Sequence, residues 1–184
     1  MLSLFTAPLD LSPFTSEADA FDHLYGFFQR DFVKQRTCLT ENIYVDPNGQ
    51  GVKNGREEVF WHITTRDQVK KVKQGNRIVQ IKTRPLDPDR ASRIVWVRPM
   101  LLNHSHANIK LFYRKETKGK KPIRLYLWAH QHDFVVIVQK LGASNAFLVT
   151  SFYITESYKR ASYTKWHDEY TSGAAQALQG CEWF

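Results

Sequence analysis

Two hydrophobic rhythms run along the chain. The first is helical. Phe21, Leu24, Tyr25, Phe28 and Phe32 recur at the spacing that gathers side chains on one face of a helix. Ser16 precedes them as an N-cap candidate, with Glu17 and Asp19 in the first turn, so a helix is predicted over about 17–34. Ile43-Tyr44-Val45 reads as a short strand closed by the turn Asp46-Pro47-Asn48-Gly49.

The second rhythm is the alternation of strands. The stretch Glu58-Val59-Phe60-Trp61-His62-Ile63-Thr64-Thr65-Arg66, read as a strand, puts His62, Thr64 and Arg66 on one face and Ile63 and Thr65 on the other. Arg77 to Thr83 alternates too: Val79, Ile81 and Thr83 share one face, and the more polar Ile78, Gln80 and Lys82 share a face expected to be solvated. Between 87 and 99 the helical rhythm returns. Asp87 is an N-cap candidate, Pro88 suits the first helical position, and Ala91, Ile94, Val95 and Arg98 fall at helical spacing. Pro99 is expected to end or kink this helix, and the β-branched pair Ile94-Val95 leaves a strand from about 93 as the competing reading.

Strand candidates fill the second half at about 109–115, 123–130, 133–140 and 147–155. Their turns are Lys118-Gly119-Lys120-Lys121-Pro122 and Gly142-Ala143-Ser144-Asn145, while His130-Gln131-His132-Asp133 leaves 123–140 open as two strands or one. The close spacing predicts an antiparallel meander. A last helix is expected from Tyr158 to Tyr170, and the small, polar tail from Thr171 is expected to fray. The pattern therefore predicts an α+β fold, an antiparallel sheet of about four strands packed on N-terminal and flanking helices. It divides into an N-terminal helical arm (1–56), an α+β domain (57–170) and a C-terminal tail (171–184).

Composition narrows the class. With 184 residues, 42% hydrophobic and 14% aromatic, the chain can bury a sizeable core. No apolar run approaches the roughly 18 residues of a membrane span. The N-terminus has no basic region and carries Pro8, Asp10 and Pro13, so no signal peptide is read. A cytoplasmic protein without a membrane partner is expected, with Cys38 and Cys181 as free thiols in a reducing compartment, although a single bridge stays open.

Charge changes the picture more. The net charge is +8, but residues 52–124 hold 19 Lys and Arg against 6 Asp and Glu. Such a block, interleaved with Trp61, Trp96, Phe112 and Tyr113, points to a polyanion, most simply nucleic acid.

The chemistry that fits is metal-independent cleavage of RNA, which needs a base, an acid and cations for the phosphorane, the 2′-hydroxyl being the nucleophile. His62 is the acid/base candidate and Arg66 the phosphate-binding one, with Thr150, Ser151 and Tyr153 on the last strand as further site candidates. Lys70, Lys71, Arg90 and Arg98 are expected to bind substrate phosphates, and Trp96 or Tyr153 to stack a base. Each has a plainer reading: a strand histidine in the core, a surface ion pair, hydrogen-bonded core hydroxyls. Two HxH pairs, His104-Ser105-His106 and His130-Gln131-His132, would each face one way on a strand and could take zinc, but carboxylates nearby are few, and no metal or other cofactor is expected. The cysteines lack a nucleophile motif.

Three pieces occur in an order that resembles the phage-associated barnase, EndoU, colicin E5/D and RelE-like nuclease superfamily. They are His62-Ile63-Thr64-Thr65-Arg66, then Asp89-Arg90-Ala91-Ser92-Arg93-Ile94-Val95-Trp96-Val97-Arg98-Pro99, then Phe134-Val135-Val136-Ile137-Val138 with Phe147-Leu148-Val149-Thr150-Ser151-Phe152-Tyr153-Ile154. The resemblance covers roughly residues 57–158. It implies a helix-plus-antiparallel-sheet fold, metal-independent endoribonuclease activity, and a role as toxin or phage or mobile-element effector, with an inhibitor or immunity protein as a possible partner. By position it implies His62 as the first-strand histidine, Arg66 as its basic partner and Thr150 as the last-strand hydroxyl. No glutamate matches the general base of barnase-like members. The rival expectations are a nucleic-acid-binding protein of the same fold without catalysis, and a basic module that docks on an acidic protein.

Overall fold

The computed structural model describes residues 4–75, 77–117, 120 and 122–184. Helix α1 (Glu17–Phe28) runs on into a π-helical turn, Gln29–Val33. Ser16 caps it by accepting from the Asp19 amide at 3.2 Å. Leu24, Phe28 and Phe32 are buried, which is the apolar face expected of this segment. Strand β1 (Tyr44–Asp46) follows, then a small antiparallel pair, β2 (Val52–Lys53) and β3 (Arg56–Glu57).

The stretch expected as a strand at 58–66 is instead helix α2 (Glu58–Thr64). The buried positions are Val59, Phe60, Ile63 and Thr64, a helical and not an alternating set. Tertiary packing decides against the β-branched and aromatic local preference. Phe60 meets three rings of α1, with centroids 5.2 Å from Tyr25, 5.7 Å from Phe28 and 6.3 Å from Phe21. The hydroxyls of Thr64 and Thr65 fold back on the carbonyls of Phe60 and Trp61, so neither is left unpaired.

Strands β4 (Gln68–Gln74) and β5 (Arg77–Thr83) pair with each other and belong to no other sheet. All seven residues of each strand are exposed. The face of Ile78, Gln80 and Lys82 is solvated as expected, and the face of Val79, Ile81 and Thr83 is solvated as well.

Asp87 and Pro88 open helix α3 (Pro88–Ala91) as read, with the Asp87 carboxylate accepting from the Arg90 amide. Helix α4 (Ile94–Leu102) settles the competing strand reading of 93–98. Pro99 lies inside α4 and does not end it, since the helix continues to carry Met100 and Leu101 into the core.

The meander forms as expected: β6 (Ile109–Lys115), β7 (Ile123–Ala129), β8 (Phe134–Lys140) and β9 (Asn145–Tyr153). Residues 123–140 are two strands, and Asp133 closes the turn between them with φ +51°. Of the expected turn at 118–122, Lys118, Gly119 and Lys121 lie outside the described residues. β1 adds a fifth strand parallel to β9, giving the order β1-β9-β8-β7-β6. The fold is thus mixed α+β with a mainly antiparallel sheet.

The sheet separates two apolar clusters. The larger holds Leu24 and Phe28 of α1, Phe60 and Ile63 of α2, Val97 and Met100 of α4, and Leu125, Val136 and Leu148 of the sheet. The smaller lies under helix α5 (Ser157–Thr171), where Tyr163 meets Phe112, Tyr126 and Trp128. The tail does not fray as expected. Cys181 and Trp183 pack on the larger cluster, and the Trp183 amide donates to the Tyr113 hydroxyl at 2.9 Å. A tryptophan at its end gives the tail apolar area to bury. Cys38 and Cys181 are both free thiols. Among the described residues no helix is long and apolar enough to cross a membrane.

Candidate nucleic-acid interface

The residues expected to act together are not arranged on one strand face. His62 lies in the last turn of α2, half-buried beside β9, and Thr64 is fully buried. Arg66 lies beyond the helix and pairs with Asp87, Nε to Oδ2 at 2.7 Å. Thr150 does reach His62, but by donating to its backbone carbonyl at 2.9 Å. Ser151 is fully buried and its hydroxyl has no hydrogen-bond partner among the described residues, so it cannot meet a phosphate. Tyr153 lies under the Arg93 guanidinium, 4.3 Å from its ring centre, which occupies the face a base would use.

The expected substrate-binding set divides likewise. Arg90 is half-buried and donates to the carbonyls of His62 at 2.6 Å and Thr65 at 2.9 Å. It closes the C-terminal end of α2, where helix carbonyls lack partners of their own, and burial pushes its pKa down to about 10. Trp96 is buried and donates from its indole to the Thr6 carbonyl, so it is no stacking platform. Arg98 donates to the Thr37 hydroxyl at 3.1 Å. Lys70 and Lys71 alone keep the expected character, exposed on β4.

A different cluster forms around His62. The Glu58 carboxylate stands one turn earlier on α2, Oε1 3.8 Å from the imidazole Nε2. Burial lowers the pKa of His62, and the charge of Arg84 lowers it further. Glu58, the Val149 backbone and Asp67 oppose that shift. Arg84 donates to the Thr65 hydroxyl at 2.7 Å and lies 3.6 Å from Asp67. Gln50 closes the edge of β9 next to the pair, donating to the carbonyls of Leu148 at 2.8 Å and Val149 at 3.1 Å. Glu58 and Arg84 were not singled out in the sequence. The helical spacing of Glu58 and His62, four residues apart, is the signal that would have found the first.

This cluster sits at the foot of the β4–β5 ribbon, because Arg66 and Asp67 lead into β4 and Arg84 leaves β5. The bridge between Thr65 and Leu86 ties the foot to the body. The ribbon carries Lys70, Lys71, Lys73, Arg77 and Lys82, and no Asp or Glu occurs between 68 and 83. None of the five cations forms an ion pair among the described residues. Five unneutralised charges on a fully exposed element concentrate positive potential there.

The HxH pairs are not on strands and do not face one way. His104 turns to the Phe184 ring, His106 accepts from the Asn108 amide, and His132 packs on Phe5 and Trp96. Among the described residues no group of three or more His, Cys, Asp or Glu is placed to hold a metal ion. Comparison with protein-family models, curated proteins and solved structures gives no match for this chain.

Proposed function

We propose that this protein binds nucleic acid through the β4–β5 ribbon. One observation carries the reading: five cations stand on an exposed two-stranded element that contains no carboxylate. Phosphate chains release bound counterions when such side chains neutralise them, so the affinity is set largely by charge. The test is the salt dependence of RNA binding. With five phosphate contacts the slope of log affinity against log salt is roughly −3.5 for a single strand and −4.5 for a duplex of the B-DNA type. Replacing Lys70, Lys71, Lys73, Arg77 and Lys82 by Gln flattens it. Salt-independent binding, or none, turns the reading toward an acidic protein partner.

A second reading, cleavage of the bound RNA, is favoured by the Glu58–His62 pair and Arg84 at the foot of the ribbon. The lowered pKa keeps His62 neutral near pH 7, the form that accepts a proton. The 2′-hydroxyl gives its proton to His62 and attacks phosphorus, the bond to the 5′-oxygen breaks, that oxygen takes a proton from water, and the hydroxide left behind takes back the proton that His62 holds. Arg84 balances charge on the phosphorane. This reading includes membership of the barnase, EndoU, colicin E5/D and RelE-like superfamily and a toxin or effector role, and an α+β chain with a closing antiparallel meander is compatible with it. RNA incubated with the protein in a chelator should be cut, and His62→Ala should stop the cutting. Undiminished cutting by that variant removes His62 from the mechanism.

A further inference from the structure

We infer that the β4–β5 ribbon takes base-paired RNA, gripping a helical stem and not an unpaired strand; this rests on the nucleic-acid reading above. Three observations lead there. The ribbon has no aromatic residue: between 68 and 83 its apolar side chains are Val and Ile only. Single-strand binders gain affinity by stacking bases on aromatic rings, and this surface offers none.

The register then divides the charges between two faces. Opposed residues share a face, so Lys70, paired with Ile81, and Arg77, paired with Gln74, point one way. Lys71, Lys73 and Lys82 point the other way, paired with Gln80, Ile78 and Val69. A single strand lies along one face, whereas a ribbon set between the two phosphate chains of a duplex uses both. Seven residues at about 3.4 Å each give a ribbon roughly 24 Å long, enough to follow a groove over several base pairs.

The foot of the ribbon favours RNA over DNA. The imidazole–carboxylate pair of His62 and Glu58 lies there at 3.8 Å. RNA recognition of a stem runs through phosphates and 2′-hydroxyls, not base edges, which suits a ribbon of lysines and β-branched side chains.

The experiment uses the full chain and three labelled probes of equal length: an RNA stem-loop, an RNA without pairing, and a DNA duplex. The stem-loop should bind roughly tenfold tighter than the unpaired RNA, a gap of about 1.4 kcal/mol. The Lys71→Gln, Lys73→Gln variant and the Lys70→Gln, Arg77→Gln variant should each lose much of that preference, since each strips one face. Equal binding of paired and unpaired RNA overturns the inference while leaving nucleic-acid binding intact, as does tighter binding of the DNA duplex. A preference for stems that survives both variants overturns the ribbon as its source. Failure to bind any probe overturns both readings.

Discussion

The Thr150 hydroxyl donates to the His62 carbonyl at 2.9 Å and so fastens the last turn of α2 to strand β9. The bond joins two elements far apart in sequence and fixes where the imidazole sits. Thr150→Val removes the donor, keeps the shape, and should cost about 1 kcal/mol in urea unfolding. Serine at that position should restore the loss. If Val is as stable as Thr, the Arg90 guanidinium alone satisfies the carbonyl and the Thr150 bond does not hold the helix.

Arg90 does more at the same junction. It is half-buried, and it donates to two carbonyls at the end of α2 while facing Asp87 at 3.9 Å. Arg90→Met fills similar volume but takes the donor from the Thr65 carbonyl and leaves the His62 carbonyl with the Thr150 hydroxyl alone, at a cost of about 2–4 kcal/mol. The loss should appear as a lower denaturant midpoint with nucleic-acid affinity little changed in the folded range. A fall in affinity without a fall in stability would instead make Arg90 a phosphate ligand.

These two residues show what was legible in the sequence. Ser16, Asp87 and Pro88 signalled helix starts through local chemistry, and the four meander strands followed from alternation and turns. The residues of 58–66 favour a strand locally, whereas the rings of Phe21, Tyr25 and Phe28 that make the stretch a helix lie on α1, far earlier in the chain. The basic block pointed to a polyanion, yet sequence could not separate its spent charges from its free ones. Arg66, Arg90 and Arg98 are engaged with Asp87, backbone carbonyls and Thr37, while the ribbon's cations face solvent. That distinction depends on contacts between distant segments.

The imidazole of His62 provides a pH test. Its folded pKa lies below the ordinary histidine value, chiefly through burial and then through Arg84. Between the folded and unfolded values the unfolded chain binds more protons, so stability rises with pH across that window. The contribution is present above about 6.5, the unfolded value, and is lost as pH falls toward the folded one. A proton NMR titration should place His62 below a free histidine, and Arg84→Gln should raise its midpoint. A midpoint at or above the free value would show an imidazole open to solvent or dominated by Glu58.

Gly49 tests the other side of the sheet edge. A Cβ built there would stand 2.3 Å from the Cβ of Phe147, a close approach that no rotamer of Phe147 relieves because that atom is fixed by the strand. Gly49→Ala should cost about 1–3 kcal/mol by forcing the turn off β9. Phe147→Ala does not relieve the clash, since alanine keeps the offending Cβ. Phe147→Gly removes it, so Gly49→Ala should be milder in that background. An unchanged penalty would mean the backbone there, not the side chain, sets the limit.

The ribbon should be separable from the fold. Its residues are exposed on both faces, and Gln68 pairs directly with Thr83, so the two ends of the excised segment lie side by side. Replacing 68–83 by a short Gly-Ser link should therefore leave the unfolding free energy within about 1 kcal/mol of the full chain, because little apolar surface is lost from the core. RNA affinity should fall toward background in the same variant, and its salt dependence should shrink with the five missing cations. Circular dichroism melting and fluorescence anisotropy read the two effects independently. A shortened chain that no longer melts cooperatively would show that the ribbon supports the foot at Thr65 and Leu86; one that melts normally and still binds RNA would place the binding surface elsewhere on the molecule.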